Sequence, residues 1–449
     1  MRLICLSVSH HNTPVELREC LSLTSDGINS ALSKFPIRLG QFEPILEMVF
    51  LSTCNRLEIY ALVSLTLAEE ENSNTLFQPL LRFLREVVEI PTQTLDPYFR
   101  YFADISAVRH LYQVTAGLDS IAIGETQILG QVSQALAAAL ENGSARHVLS
   151  SLFRSAIQAG KRVRTETEIG RNPISISSLA VQYAESTVGS LTNKKVMVIG
   201  AGKMGGYAIR SLKERGVQQI LLTNRTYPRA VELVNKFGGE ALPFENMLDG
   251  LTDVDLVFTS TASSHPILHR DQLESIMALR PFRPLTLIDL AVPRNVENTV
   301  GEIKNVQLFD MDDLQRYVAT TDQDSHQIIT FAQSIVNEEV AEYEKLLRVV
   351  PFIGELHKKV EQIRQVEIAR ALRRLSNPEP EVVEQLELFS RTLVRKILHE
   401  PTMHLRTETN QETLKDYVDI LSRLFDLTEL EPNFPLKKDE KWDFQTPVR

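Results

Sequence analysis

A thiol and a guanidinium lie two positions apart in the segment STCNR, residues 52–56. Cysteine is nucleophilic as the thiolate, and nearby positive charge lowers the pKa that controls how much thiolate forms. An arginine can also bind a carboxylate through two parallel hydrogen bonds. Most free cysteines are buried and behave as small apolar side chains, but the tip of a turn is rarely buried. The segment therefore predicts an exposed, reactive Cys54, with Arg56 either activating the thiol or binding a substrate carboxylate.

A glycine-rich turn follows the apolar residues 196–199 and precedes a helical pattern. The order strand, G-x-G-x-x-G and helix is typical of dinucleotide-binding sites. Gly200 makes the tight turn, Gly202 lets the backbone approach the pyrophosphate, and Gly205 lets the helix pack on the strand. The N–H groups at the start of the helix then bind the phosphates. We predict that the cofactor contacts Gly200, Ala201, Gly202, Lys203, Met204 and Gly205.

The second strand of the same unit ends in Asn224, Arg225 and Thr226. Sites specific for NAD usually have an acidic residue here, which binds the 2′-hydroxyl of the ribose. An arginine instead provides a permanent cation with several donors, which suits a 2′-phosphate. The segment predicts NADPH rather than NADH, bound with the help of these three residues.

A cysteine nucleophile together with an NADPH site indicates reduction of an acyl group. The thiolate would attack an activated carbonyl carbon, and the resulting thioester would be reduced to an aldehyde. No Cys/His cluster has the spacing of a zinc site, so we predict no metal.

Residues 110–132 form a polar stretch that helix propensity does not explain. The stretch favours a binding loop between two helices. His110 is a candidate to polarise the carbonyl or to move the proton of the leaving group, although a single histidine is more often structural. The small or polar residues of the stretch are Gly117, Asp119, Ser120, Gly124, Glu125, Gln127, Gly130 and Gln131.

Local patterns predict the elements that position these residues. Two strands, 46–53 and 56–63, are separated by two residues, which is the natural length of a hairpin turn. Helices over 130–141 and 147–165 complete an α+β unit with an antiparallel sheet. Strands then alternate with helices from about residue 194, which predicts a parallel, doubly wound sheet of the Rossmann type.

The remainder of the chain has helical spacing almost throughout. Apolar residues form one stripe along 328–350, which fits either an intramolecular bundle or a long helix that carries an oligomerisation domain. We expect Pro351, the segment NPEPE (377–381) and Pro401 to separate helices. The predicted domains are a catalytic domain at 1–165, a Rossmann domain at 166–310, a helical domain at 311–430 and a tail at 431–449.

Composition limits the class of protein. The apolar share of 43% is ordinary for globular chains, and no apolar run is long enough for a membrane span. Three cysteines fit a reducing compartment, and the first residues have no signal-peptide pattern, so we expect a cytoplasmic protein. A formal charge of −10 argues against nucleic-acid affinity spread over the whole surface.

Six motifs, in chain order, together resemble the glutamyl-tRNA reductase family. The resemblance extends from the first residues into the helical domain, and the cysteine motif with the two polar segments is highly specific. The motifs are SHHNTPVELRE (9–19), LSTCNRLEIY (51–60), GLDSIAIGETQILGQV (117–132), GAGKMG (200–205), TNRT (223–226) and DLAVPRNV (289–296).

The resemblance implies a reaction and a set of roles. Cys54 would attack the ester carbonyl of the glutamyl group on its tRNA, and NADPH would reduce the thioester to glutamate-1-semialdehyde, the first step towards tetrapyrroles such as haem and chlorophyll. His110 corresponds to a histidine that the family needs for activity. Family members often have proline where this chain has Thr126. The residues that correspond to the glutamyl-binding set are Thr53, Asn55, Arg56, Ser120, Glu125, Thr126, Gln127 and Gln131.

The resemblance also implies partners. The family forms V-shaped homodimers through its C-terminal helices, and its members associate with the aminomutase that consumes the aldehyde. An aminoacyl ester is already activated, which agrees with the absence of an ATP-binding G-x-x-x-x-G-K-[ST] loop.

Two other functions are alternatives to the reduction of glutamyl-tRNA. A small-molecule NADP-dependent dehydrogenase of the shikimate-dehydrogenase type shares the Rossmann unit, but it needs no cysteine and does not explain residues 310–430. A non-catalytic scaffold that senses NADP is the second alternative.

Overall fold

The computed structural model describes residues 2–21, 27–32, 45–53, 55–63, 76–87, 96–125, 127–167, 169, 175–321, 326–375, 380–407 and 411–427. They divide into two compact units, residues 3–337 and 338–449. The first unit contains an antiparallel sheet with helices and a parallel doubly wound sheet, and the second is helical. This confirms the predicted fold class, whereas the four domain boundaries stay predictions.

The first sheet contains the predicted hairpin and has the strand order β2-β3-β1-β4. Strands β2 and β3 are antiparallel, as are β1 and β4. All residues of β1 and β3 are buried. The strands are β1 (Arg2–Ser9), β2 (Ile45–Ser52), β3 (Arg56–Val63) and β4 (Arg100–Ala103).

Alternation along β3 sends two different sets of side chains to the two faces of this sheet. Leu57 and Ile59 join a core formed with the apolar residues of 76–84. Tyr60 lies on the other face, edge-on to Phe153 at 5.3 Å between ring centroids. Arg56 and Glu58 share the face of Tyr60, so the strand directs a cation and an anion towards the helices that follow. These are α1 (Val15–Leu21), α2 (Gln78–Val87), α3 (Ile105–Ala116), α4 (Gln127–Glu141) and α5 (His147–Glu166).

The second sheet has six parallel strands in the order β10-β9-β8-β5-β6-β7. The chain order reverses between β5 and β8, and ligands bind at the carboxyl ends of the strands at such a switch point. The strands are β5 (Lys195–Ile199), β6 (Gln219–Thr223), β7 (Glu240–Leu242), β8 (Leu256–Thr259), β9 (Leu285–Asp289) and β10 (Val306–Phe309).

Helices cover both faces of this sheet, and the described residues of the first unit include short 3-10 turns at Asp96–Tyr98, Phe244–Asn246 and Asn298–Glu302. Sequence pattern does not predict β7, because three residues are too few to show alternation. The helices are α6 (Ile176–Val188), α7 (Lys203–Glu214), α8 (Tyr227–Phe237), α9 (Met247–Leu251), α10 (Arg270–Leu279) and α11 (Met311–Thr321).

Three helices follow: α12 (His326–Arg374), α13 (Pro380–Thr407) and α14 (Gln411–Phe425). The 49-residue α12 confirms the long helix suggested by the apolar stripe. The prediction that Pro351 and Pro401 separate helices was wrong, because α12 and α13 continue through them. A proline removes one backbone hydrogen bond, and the buried Leu398 and Leu405 on either side of Pro401 hold that helix together.

The predicted tail, residues 431–449, lies outside the described residues. No helix in the described part of the chain has both the length and the apolar character that crossing a bilayer requires.

Candidate active site

A cavity of about 280 Å³ opens at the switch point of the parallel sheet. One wall comes from the antiparallel domain and carries most of the predicted substrate-binding residues. The opposite wall consists of Ile176 at the start of α6, Met204 from the glycine-rich turn, residues 260–262 after β8 and residues 290–292 after β9. The structure therefore brings the predicted acyl-binding and cofactor-binding segments to one space. The residues of the first wall are Thr53, Asn55, Arg56, Ser120, Ile121, Glu125, Gln127, Ile128 and Gln131.

Two predicted positions lie outside the described residues, Cys54 and Thr126. Their neighbours in sequence, Thr53 and Asn55 for the first and Glu125 and Gln127 for the second, all line the cavity.

Arg56 is the centre of a buried network of charges behind this wall. Its Nη1 donates to Glu58 Oε1 and to Asp119 Oδ2, both at 2.8 Å, and its Nη2 donates to the backbone oxygen of Asp119. Asp119 Oδ1 also accepts a hydrogen bond from His11 Nε2 at 3.0 Å. These described contacts use three of the five N–H donors of the guanidinium.

The expectation that the tip of the hairpin is exposed was wrong for Arg56, of which only 4% is accessible, and for Asn55. Burying a cation is costly unless it is paired. Glu58 on the same strand and Asp119 in the loop after α3 supply the two compensating carboxylates. The arginine is therefore held at the edge of the cavity by these two carboxylates.

Glu58 is fully buried and joins four side chains. It accepts hydrogen bonds from Arg56, from Tyr60 at 2.7 Å and from Ser7 at 3.2 Å, and His110 Nε2 lies 2.8 Å away. Burial by itself would raise the pKa of Glu58, but His110 and Arg56 outweigh burial and lower the pKa to about 2. Burial would likewise raise the pKa of Asp119, but the hydrogen bond from His11 and the charges of Arg56 and His110 hold this pKa far below its usual range.

His110 does not line the cavity. It is buried, stacks on the ring of Phe102 at 4.0 Å and bonds to Glu58. Its link to the cavity runs through Glu58 and Arg56. The structure thus places the predicted catalytic histidine in a supporting position in this conformation, and its catalytic role stays a prediction.

Cys5, Glu58 and His110 bring three potential metal-binding atoms within 4.8 Å of one another. They come from three elements, so no spacing motif could reveal the cluster. Burial raises the pKa of the Cys5 thiol, with a further contribution from the negative charge of Glu58. The hydrogen bonds of Glu58 to His110 and Arg56 already account for this geometry, and the prediction that the chain holds no metal stays a prediction.

Glu125 faces the same cavity. Burial raises the pKa of its carboxyl, although Arg56 and Arg164 lower it. On the neighbouring helix, Gln127 Nε2 lies 3.6 Å from Met204 Sδ, which joins the polar loop of the first domain to the glycine-rich turn.

The glycine-rich turn has the geometry that a dinucleotide requires. Gly200 has φ +118°, and its N–H donates to the oxygen of Thr223 at 2.9 Å. A Cβ on Gly205 would lie 2.0 Å from the oxygen of Gly200, whereas a Cβ on Gly202 would meet no atom within 4 Å. The space beside Gly202 is open at the start of α7, where a pyrophosphate would lie. The residues of the turn therefore fit a dinucleotide.

Replacement of Gly205 and of Gly202 by alanine should have different effects. We expect Gly205→Ala to lower the free energy of unfolding by about 2 kcal/mol, because overpacking strains the backbone. Gly202→Ala should leave that free energy within about 0.5 kcal/mol and raise the Kd of NADPH at least about ten-fold, because the methyl group occupies the approach of the pyrophosphate. Urea unfolding and fluorescence titration with NADPH would measure both. Tight NADPH binding by Gly202→Ala would contradict the assignment of the turn.

Asn224 connects the turn to the end of β6. Its Oδ1 accepts the N–H of Ala201 at 3.1 Å, and its Nδ2 donates to the oxygen of Thr226 at 3.0 Å. Arg225 and Thr226 are exposed beside this connection. The predicted ribose-phosphate segment therefore lies next to the predicted pyrophosphate turn.

Several residues of the site were not predicted from the sequence. Glu58 could have been noticed because it is a charged residue between the apolar Leu57 and Ile59. A charge in a buried strand needs a partner. Residues 290–292 were noted only within the motif DLAVPRNV, without a role, and residues 260–262 were not predicted to belong to the site, because small and apolar loop residues become a cavity wall only through the strand order.

Three family models match consecutive parts of the chain. Residues 6–167 match the N-terminal domain of glutamyl-tRNAGlu reductase, and residues 331–427 match the dimerisation domain of the same enzyme. Residues 182–317 match the model of shikimate / quinate 5-dehydrogenase, which gives the middle segment a nucleotide-binding domain of the NAD(P) type.

Curated relatives and a solved structure cover nearly the whole chain. The glutamyl-tRNA reductase of Acaryochloris marina is 38% identical over 434 residues, 95% of this chain and 97% of the relative. That of Geobacter sulfurreducens is 35% identical over 98% of this chain and 100% of the relative. The structure of glutamyl-tRNA reductase from Methanopyrus kandleri is 31% identical over 95% of this chain and 99% of that chain, with a TM-score of 0.43. Because the two curated relatives are 35–38% identical over at least 95% of this chain and of their own length, the chain belongs to the glutamyl-tRNA reductase family.

Proposed function

We propose that this chain reduces the glutamyl group of glutamyl-tRNA to glutamate-1-semialdehyde and releases the tRNA. Family membership supports the overall reaction, and the observation that carries the mechanism is the cavity. It places the neighbours of Cys54 opposite Met204 of the cofactor turn.

Cys54 accepts the acyl group in the first step. Its thiolate attacks the ester carbonyl carbon, the carbon–oxygen bond to the terminal ribose breaks, and the tRNA leaves as an alcohol after taking up a proton. NADPH, when bound, supplies the hydride that adds to the carbonyl carbon of the thioester. The carbon–sulfur bond then breaks, which gives the aldehyde, and the Cys54 thiolate takes up a proton to become the thiol.

The walls of the cavity suit a glutamyl group. Arg56 has two N–H donors that the described contacts do not use, and these can bind the side-chain carboxylate of the glutamyl group. Glu125, whose pKa is raised by burial, gains a partner when the α-ammonium group of the substrate enters the cavity. Thr53, Asn55, Ser120, Thr126, Gln127 and Gln131 complete the proposed glutamyl-binding set, and His110 supports it through Glu58.

The cofactor preference is NADPH, with Arg225 facing the 2′-phosphate. We expect Arg225→Ala to lower kcat/KM for NADPH by about 10- to 100-fold, because a charge-assisted hydrogen bond is lost. Turnover with NADH should change little. Steady-state rates with both cofactors measure this, and Arg229→Ala, an exposed arginine on the following helix, is the matched control. Equal turnover of the native chain with NADH and NADPH would refute the preference.

The helical region is proposed to join two copies of the chain into a homodimer. The match of residues 331–427 to a dimerisation domain supports this. Helix α13 also exposes large apolar side chains, which a monomer would leave in water: Leu388, Phe389, Leu393 and Ile397. Contact with the aminomutase that consumes the aldehyde is proposed from the family resemblance, and a cytoplasmic location from the sparse cysteines.

One assay tests the proposal against the two alternatives. Glutamyl-tRNA and NADPH are mixed with the full chain, and free tRNA, aldehyde and NADP are measured. Aldehyde formation supports the proposal, NADP-dependent oxidation of a free hydroxy acid would favour the dehydrogenase, and no turnover with either would favour the scaffold.

A further inference from the structure

Helix α1 joins the antiparallel domain to the loop that forms one wall of the cavity. Arg294, in the loop after β9, donates from Nε to Glu19 at 2.9 Å and from Nη1 to Glu16 at 2.9 Å. Its Nη2 reaches the second oxygen of Glu19 at 3.1 Å. Residues 290–292 of the same loop line the cavity, so α1 holds this wall in place.

Arg18 lies on the same helix and joins three places at once. Its Nη2 pairs with Asp312 at the start of α11, its Nη1 donates to Asn55 Oδ1 at 3.0 Å, and its Nε donates to the oxygen of Thr13 at 3.0 Å. The side chain is only 3% exposed. The second oxygen of Asp312 accepts the backbone N–H of Val15 at 3.0 Å, so the same carboxylate also fixes the start of α1.

The geometry of guanidinium makes these contacts interdependent. Its donors point in fixed directions within one plane. Arg18 can therefore meet Asp312 and Asn55 together only for one placement of the dinucleotide-binding domain relative to the hairpin. Asn55 in turn donates its backbone N–H to Thr53 Oγ1 at 3.2 Å, and both residues flank position 54 and line the cavity.

We propose that Arg18 is a positioning residue, which orients Asn55 and its neighbour Thr53 only when Asp312 is docked against α1. Asp312 lies on α11, whose Met311 and Leu314 pack in the core of the dinucleotide-binding domain, so α11 moves with that domain although the predicted boundary was at 310. Docking of that domain thereby prepares the acyl-accepting turn before any hydride is transferred. This inference rests on the proposed function, because the orientation of the turn affects a rate only if Cys54 accepts the acyl group.

The test follows acyl transfer by itself. Full-length chain is mixed with labelled glutamyl-tRNA without NADPH, and the first-order rate of tRNA release is measured in a single turnover. We expect Arg18→Gln to slow tRNA release at least about ten-fold, and Asp312→Asn about five-fold although Asp312 lies outside the cavity. The double variant should be no slower than Arg18→Gln, since both substitutions break one connection.

Two further variants separate positioning from stability. Arg18→Lys keeps a positive charge for Asp312 but cannot reach Asn55 at the same time, so it should fold like the native chain and still release tRNA slowly. Arg270→Gln removes an arginine that binds two glutamates within the dinucleotide-binding domain, Glu274 and Glu302, and should release tRNA at the native rate.

The measured rates of tRNA release decide whether Arg18 is a positioning residue. Slow release by Arg18→Lys and Asp312→Asn, with native unfolding midpoints, supports the inference. Native release rates in these two variants, or losses that multiply in the double variant, would overturn it while leaving the proposed function intact. A native chain that releases no tRNA would instead refute the proposed function and this inference with it.

Discussion

Cys54→Ser is expected to abolish aldehyde formation from glutamyl-tRNA, with a loss of at least about 10³-fold in kcat. A serine hydroxyl does not ionise near neutral pH, and in the described residues the cavity wall offers no histidine that would remove its proton. The attack on the ester carbonyl therefore fails, and free tRNA should not accumulate either. A single-turnover measurement of tRNA release and a colorimetric measurement of the aldehyde follow both steps.

Cys5→Ser is the matched control for this substitution. Cys5 is fully buried in β1, and burial raises the pKa of its thiol, so it is not a competent nucleophile. The variant should retain aldehyde formation within about ten-fold of the native rate. Undiminished aldehyde formation by Cys54→Ser would remove the thioester from the mechanism, whatever the result for Cys5.

Glu58→Gln is expected to give the second largest effect. The amide keeps the shape of the side chain but removes the negative charge that balances Arg56 and orders His110. We expect kcat/KM to fall by about 10²-fold, because small displacements of groups at a reacting centre are costly. The free energy of unfolding at pH 7 should fall by on the order of 3 kcal/mol, since the pKa of Glu58 is lowered from 4.5 to about 2 in the folded chain.

The contribution of Glu58 to the stability of the folded chain depends on pH. A lowered carboxyl pKa stabilises the folded state above the unfolded pKa, and this contribution disappears as the pH falls towards the folded value of about 2. The native chain should therefore lose its advantage over Glu58→Gln between about pH 4.5 and pH 2. Urea unfolding at a series of pH values measures the difference.

An exposed glutamate provides the control. Glu214 pairs with Arg210 one turn away on α7 at 3.0 Å, and both side chains are more than half exposed. Glu214→Gln should change the free energy of unfolding by less than about 0.5 kcal/mol and leave kcat/KM unchanged. If Glu58→Gln is as mild as Glu214→Gln at every pH, the buried network has no part in activity or stability.

The sequence alone determined the elements whose signals are local. The two-residue connection at 54–55 predicted the hairpin, because turn length and strand alternation are both encoded within a few residues. The glycines at 200, 202 and 205 predicted the dinucleotide turn, and the structure gives Gly205 and Gly202 the close packing and the open space that their roles require. The long helix α12 followed from an apolar stripe, which a single helix also encodes locally.

Only the tertiary structure decided the surroundings of Arg56 and the continuity of the last helices. A proline lowers helix propensity by a local rule, but the packing of Leu398 and Leu405 on either side of Pro401 overrides that rule. Arg56 was expected at an exposed tip, and it is buried because Glu58 and Asp119, 2 and 63 positions away, neutralise it.

The contacts of Arg18 could also not be predicted from the sequence. Its partners Asn55 and Asp312 lie 37 and 294 positions away in the chain. Spacing motifs report residues that one helix or one strand brings together, and they carry no information about such distant pairs. The chemistry proposed for residues 54 and 200–205 could therefore be predicted from the sequence, whereas the fold decided which charges line the cavity and which contacts between domains lie beside it.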